Sequence, residues 1–84
     1  MTNEEAARVI VDAIEAVAPD ADPREVDPAE DIWYALDLDS MDQLNVMIAI
    51  GDRTGIEVPE ADYPKLQSLA DMTAYLSGVV TPKG

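Results

Sequence analysis

The chain has 84 residues, with 18 acids against 5 bases for a formal net charge of −13, and it contains neither cysteine nor histidine. A chain this short supports one domain with a single core and a net stability of about 3–5 kcal/mol. Redox chemistry and soft-metal binding lack their usual ligands, and the charge argues against nucleic acid or an anionic membrane surface and for basic protein faces as partners.

Thr2 and Glu5 have the capping-box spacing, and Ile10, Ile14 and Val17, with Ala6 or Ala7 before them, recur at steps of three and four. An amphipathic helix is predicted over 3–17, with Glu4, Glu5, Asp12 and Glu15 on its polar side and Pro19 ending it. A long acidic connection follows from Pro19 to Asp39, with prolines at 19, 23 and 28 and Arg24 as its base. Loops of this length are usually pinned or used. Val26, Ile32, Trp33, Leu36 and Leu38 are the residues that dock it, with Trp33 as the pin and a short turn expected at 31–36. A second helix is predicted over 40–54, opened by Asp39 or Ser40, with Met41, Leu44, Met47, Ile48 and Ile50 as a broad apolar stripe and Thr54-Gly55 as its stop. Ile56-Glu57-Val58-Pro59 reads as extended, and a short helix is predicted over 63–67 with Pro64 in its first turn. Ser68 and Asp71 open a last helix over 69–77 on Leu69, Met72, Tyr75 and Leu76, before Gly78 and a polar tail.

No segment shows the period of two that marks strands, so the fold class is all-α, three main helices and a short one. Apolar runs such as Val46-Met47-Ile48-Ala49-Ile50 fall far below the roughly 20 residues a bilayer needs, and no basic-then-apolar signal opens the chain. A cytoplasmic protein that does not insert into membranes is expected.

The stretch Asp37-Leu38-Asp39-Ser40-Met41-Asp42 places one hydroxyl among three carboxylates at the start of the second helix. As a cap, Asp39 or Ser40 stabilises the helix by about 1 kcal/mol. As a calcium loop the spacing fails: counting from Asp37, positions 5, 6 and 12 fall on Met41, Asp42 and Ile48, where a ligand, a glycine and a glutamate belong. As a nucleophile Ser40 lacks a histidine base, and Lys65 and Lys83 lie far along the chain. No catalytic residue and no metal site is expected. A hydroxyl modified by another enzyme is also compatible, because a helix start tolerates an added anion through a dipole effect of about 0.3–1 kcal/mol. From these residues alone, the cap and the modified hydroxyl both stay open.

The whole pattern resembles an acyl carrier protein, from the first amphipathic helix through "DIWYALDLDSM" to "GIEVPEADYPKLQSLADMTAYL". Its most specific part is Asp39-Ser40-Met41, which is similar to the family's Asp-Ser-Leu signature with methionine as a conservative change. The resemblance implies a four-helix bundle, one acyl carrier domain over residues 1–84, that is monomeric and not itself an enzyme. It implies that a phosphopantetheinyl transferase moves the 4′-phosphopantetheine of coenzyme A onto Ser40, whose thiol then holds an acyl or aminoacyl group as a thioester. The further partners implied are an acyl-loading ligase or acyltransferase and a ketosynthase or other acyl-processing enzyme of fatty acid, polyketide or related specialised biosynthesis. By the same resemblance Asp39 and Asp42 meet basic residues of the transferase, and Met41 and Ile48 supply apolar contacts, with core packing as the other reading of those two. The alternative function is an acidic interaction module in which Ser40 is only a helix cap.

Three positions depart from the pattern of fatty-acid carriers: Asp37 replaces a common glycine, Asn45 a common glutamate and Gly51 an acidic residue. Either these are drift at tolerant positions or the partners differ from those of the primary fatty-acid synthase. Met47 and Met72, on facing helices, raise the expectation of a deformable core that shelters an acyl chain, with ordinary core filling as its rival.

Overall fold

The computed structural model describes residues 2–79. Four α-helices run in the order α1 (Asn3–Val17), α2 (Ile32–Ala35), α3 (Ser40–Thr54) and α4 (Leu69–Val79), with 3-10 segments at Pro23–Glu25 and Glu60–Lys65. There is no strand among the described residues. The polar tail predicted after Gly78 lies outside the described residues from position 80 onward.

Helix α1 begins where its sequence indicates. Thr2 Oγ1 accepts the Glu5 N–H at 3.1 Å and Glu5 Oε1 accepts the Thr2 N–H at 2.9 Å, which closes the capping box. Ala6, Ile10, Ala13 and Ile14 are fully buried from this helix, and α1 packs against both α3 and α4. Ile10 and Ile14 each contribute about 1.5–3 kcal/mol by leaving water. Val46, Met47 and Ile50 of α3 and Met72 and Leu76 of α4 complete the centre.

The long connection is pinned, as its apolar residues predict. Ile32 is fully buried and Trp33 is 5% exposed. The Trp33 indole N–H donates to the Leu66 carbonyl at 2.9 Å. Ile32 N–H donates to the Gln67 carbonyl at 2.8 Å, and Ala70 N–H to the Pro28 carbonyl at 2.9 Å. The loop is thereby fastened to the segment that enters α4. Ser68 caps α4, its Oγ accepting the Asp71 N–H at 3.0 Å.

Two boundaries differ from expectation. The short helix predicted at 63–67 is a 3-10 segment at Glu60–Lys65, with Pro64 as its fifth residue rather than in its first turn. Pro64 has no N–H to give to either ladder, and the segment is closed by i→i−3 bonds on both sides of it, Asp62 N–H to Pro59 O and Leu66 N–H to Tyr63 O, both 2.9 Å. The last helix, predicted to end at 77, continues to Val79. Gly51 lies inside α3, where a Cβ would stand 3.1 Å from the Ile56 carbonyl oxygen. The chain that leaves α3 folds back over that position, after Gly55 ends the helix with φ 75° and donates its N–H to Gly51 O at 2.7 Å.

Candidate functional site

The approach to α3 is set by one unusual residue. Asp37 has φ 57°, the left-handed conformation that favours glycine. Its N–H donates to the Tyr34 carbonyl at 3.1 Å, and the Leu38 N–H donates to the Trp33 carbonyl at 2.8 Å. This turn redirects the chain from the pinned α2 into α3. Aspartate takes the position that resemblance assigns to glycine because its short polar side chain tolerates this conformation better than most.

Asp39, not Ser40, is the cap of α3. Asp39 Oδ1 accepts the Asp42 N–H at 2.9 Å, and Asp42 Oδ2 accepts the Asp39 N–H at 3.3 Å. Of the two residues the sequence offers as the cap, the structure selects Asp39: it has the extended backbone of a cap residue, at φ −87° and ψ −177°, while Ser40 is already the first helical residue. Ser40 is exposed and its hydroxyl makes no hydrogen bond among the described residues. The N–H groups of Ser40 and Met41 likewise have no protein partner among the described residues.

Around this hydroxyl, Met41 is 63% exposed and Ile48 53% exposed. Neither belongs to the core: of the stripe predicted for this helix Met47 and Ile50 are buried and Leu44 is half-buried, while Val46, which the stripe left out, is fully buried. Asp37, Asp39 and Asn45 are exposed and Asp42 is half-buried. Among the described residues no three carboxylates converge as a metal site requires. Sequence reasoning overlooked Tyr34, 87% exposed on α2; an aromatic residue beside Trp33 reads as a second pin until its direction is known.

The fit of a phosphodiester at Ser40 rests on these features. The oxygen is accessible and unengaged, two free N–H groups and the positive end of α3 lie beside it, and one oxygen of each neighbouring carboxylate is turned into the capping box. The helical bundle thus presents an exposed, unengaged serine at the start of α3.

A family model described as the phosphopantetheine attachment site matches residues 8–76, and the chain belongs to that family. The meromycolate extension acyl carrier protein of Mycobacterium tuberculosis is 29% identical over 76 residues, 90% of this chain and 65% of the relative. An acyl carrier protein of Campylobacter hominis is 33% identical over 76 residues, 90% of each chain. A putative mitochondrial acyl carrier protein of Schizosaccharomyces pombe is 32% identical over 56 residues, 67% of this chain and 50% of the relative. The chain thus spans 65% of the length of the Mycobacterium tuberculosis relative. No solved structure gives a significant match. Proteins of the family are carriers rather than enzymes; their cofactor is 4′-phosphopantetheine, and they work with synthases, transferases and acyl-processing enzymes. No helix among the described residues is long and apolar enough to cross a membrane.

Proposed function

We propose that this chain is an acyl carrier whose 4′-phosphopantetheine is attached at Ser40. The observation that carries the reading is the division of labour at the start of α3: Asp39 caps the helix, so the exposed Ser40 hydroxyl has no structural task. In the modification, Ser40 gives its proton to the transferase and forms one phosphodiester bond, while the pyrophosphate link of coenzyme A breaks and the nucleotide part leaves. When attached, the group supplies a thiol on a flexible arm that holds an acyl cargo as a thioester and raises its effective concentration at a partner's active site.

The residues of the chain position and advertise that attachment point. Asp39 and Asp42 each place one oxygen in the capping box and leave the other for basic groups of the transferase and of acyl-processing partners. Met41 and Ile48 offer apolar contact on the same helix. Encounters of this kind gain mainly in rate and selectivity and weaken as salt rises.

Of the three departures from the fatty-acid pattern, Asp37 keeps the left-handed turn and Gly51 makes room for the Ile56 carbonyl. Asn45, exposed on α3, has no such account and supports a dedicated pathway. Within the fatty acid, polyketide and lipid-modifying classes, acyl-chain extension is favoured, in keeping with the names of the mycobacterial relatives. The reading treats residues 1–84 as one carrier domain acting as a cytoplasmic monomer, kept apart from its copies by a net charge of −13. Against the acidic-module alternative stands the Asp39 cap, which leaves Ser40 without the role that alternative gives it.

Intact mass after incubation with coenzyme A and a phosphopantetheinyl transferase tests the reading. The wild-type chain gains one phosphopantetheine and Ser40→Ala gains none; no gain on the wild type, or the same gain on both, rejects it.

A further inference from the structure

Three large apolar side chains are markedly exposed among the described residues: Tyr34 at 87%, Met41 at 63% and Ile48 at 53%. Met41 and Ile48 belong to α3 and to the recognition face already described. Tyr34 does not, and it is the most exposed of the three. Its exposure is held in place by its backbone. The Tyr34 N–H donates to Asp31 Oδ1 at 3.1 Å, its carbonyl accepts the Asp37 N–H at 3.1 Å, and its neighbours Ile32 and Trp33 are buried. The ring is thus an apolar surface on a fixed mount.

Tyr34 is also close to the modified hydroxyl. A turn closed from 34 to 37 holds its ends within about 7 Å, and the three residues from 37 to 40 add at most about 11 Å. A partner that covers about 800 Å² of one protein has a footprint roughly 30 Å across. The sum, about 18 Å at most, is less than that width, so one footprint can hold both Ser40 and Tyr34. The surroundings of the ring are acidic: Asp31, Asp37 and Asp39 are all exposed, and the chain has no lysine or arginine between Arg24 and Arg53. An aromatic face in such a field attracts a cation twice, through its quadrupole and through the neighbouring carboxylates.

We infer that Tyr34 is a contact residue for the phosphopantetheinyl transferase, its ring receiving a guanidinium or ammonium group that the Asp31 carboxylate also attracts. The inference rests on attachment at Ser40 and extends the docking surface from α3 back onto α2. It gives the pinned loop a use beyond connecting helices: the buried Trp33 and Ile32 hold the neighbouring ring outward.

Steady-state kinetics of phosphopantetheine transfer, with a purified transferase, saturating coenzyme A and varied chain concentration, test this. Tyr34→Ala is expected to raise KM about five-fold, within the range of a cation–π contact, with kcat within about two-fold. Tyr34→Phe keeps the wild-type KM, because the ring face remains, and both variants keep the wild-type melting temperature, because the side chain is exposed. An unchanged KM for Tyr34→Ala overturns the inference, as does an equal loss in Tyr34→Phe, which assigns the effect to the hydroxyl. If Tyr34→Ala alters self-association and leaves KM alone, a second copy is the occupant and the inference is wrong. Failure of the wild-type chain to be modified at all removes the Ser40 reading and this inference together, whereas modification with a KM independent of Tyr34 removes only the inference.

Discussion

Asp39 and Asp42 cap each other across the first turn of α3, with carboxylate-to-N–H distances of 2.9 and 3.3 Å. The serine between them is thereby relieved of structural duty. Asp39→Ala is predicted to cost about 1 kcal/mol of stability in urea unfolding, whereas Ser40→Ala stays within about 0.5 kcal/mol of the wild type. The reverse order of these two losses would restore Ser40 as the cap.

Asp37 stands at φ 57°, where a side chain costs more than glycine does. Asp37→Gly is expected to be neutral or to stabilise by up to about 0.5 kcal/mol, since relief of strain is partly offset by greater freedom of the unfolded chain. Asp37→Ala, which has no polar group to support the left-handed turn, is expected to destabilise by about 1 kcal/mol. Urea midpoints of the three proteins give the comparison directly. Equal stability of Ala and Gly at this position contradicts the strained-turn account.

The 3-10 segment is latched to α4 by Tyr75, whose hydroxyl donates to Asp62 Oδ2 at 2.8 Å, while Lys65 Nζ lies 3.5 Å from Asp62 Oδ1. The hydrogen bond to Asp62 raises the Tyr75 pKa above its ordinary 10.0. The folded state then holds this proton more tightly than the unfolded chain does. The associated stability is fully present below pH 10.0 and is lost as pH rises through the folded pKa. At the other end of the scale, the Thr2 N–H bonded to Glu5 lowers that carboxyl below 4.5, so its contribution is present above pH 4.5 and fades as pH falls through the folded value. Melting temperature against pH is predicted to lose part of its alkaline fall in Tyr75→Phe and part of its acid fall in Glu5→Gln. Unaltered slopes in both variants contradict these assignments.

Met47 and Met72 are 4% and 2% exposed and share an apolar cavity of about 10 Å³ with Ile50, Val58, Leu66, Tyr75 and Leu76. That volume is at the threshold for a single water. An acyl chain enters only if the methionines repack, which their flexible thioether side chains permit at low cost. Loading a medium-length acyl group is predicted to shift the NMR methyl signals of Met47 and Met72 and to raise the melting temperature. If neither changes, the two methionines are ordinary core filling and the cargo stays outside.

The parts of this architecture that were legible in the sequence are those governed by local rules. The α1 box of Thr2 and Glu5, its buried Ile10 and Ile14, the Ser68 cap and the pinning by Trp33 all follow from spacing and residue type. The remainder depends on where distant backbone lies. Gly51 reads as a flaw in a helix until the Ile56 carbonyl oxygen is found 3.1 Å from the place a Cβ would take. Periodicity placed Met41 and Ile48 on one stripe with Met47, but α1 packs over only part of that arc, and the first two are exposed. Adjacent polar residues such as Asp39 and Ser40 compete for the cap, and backbone angles decide between them. Ser40 itself stood out through its motif, whereas Tyr34 carries no motif and becomes visible only through its exposure.

The central claim is that the Ser40 hydroxyl is the point at which other enzymes attach the working group. Proteolysis of the coenzyme A and transferase-treated chain, followed by tandem mass mapping, locates the modification to a single residue. The account predicts one phosphopantetheine, on Ser40, in a chain whose melting temperature is close to that of the unmodified protein. Attachment at any other serine or threonine, or an unmodified Ser40 under conditions that fully load a known carrier, contradicts it.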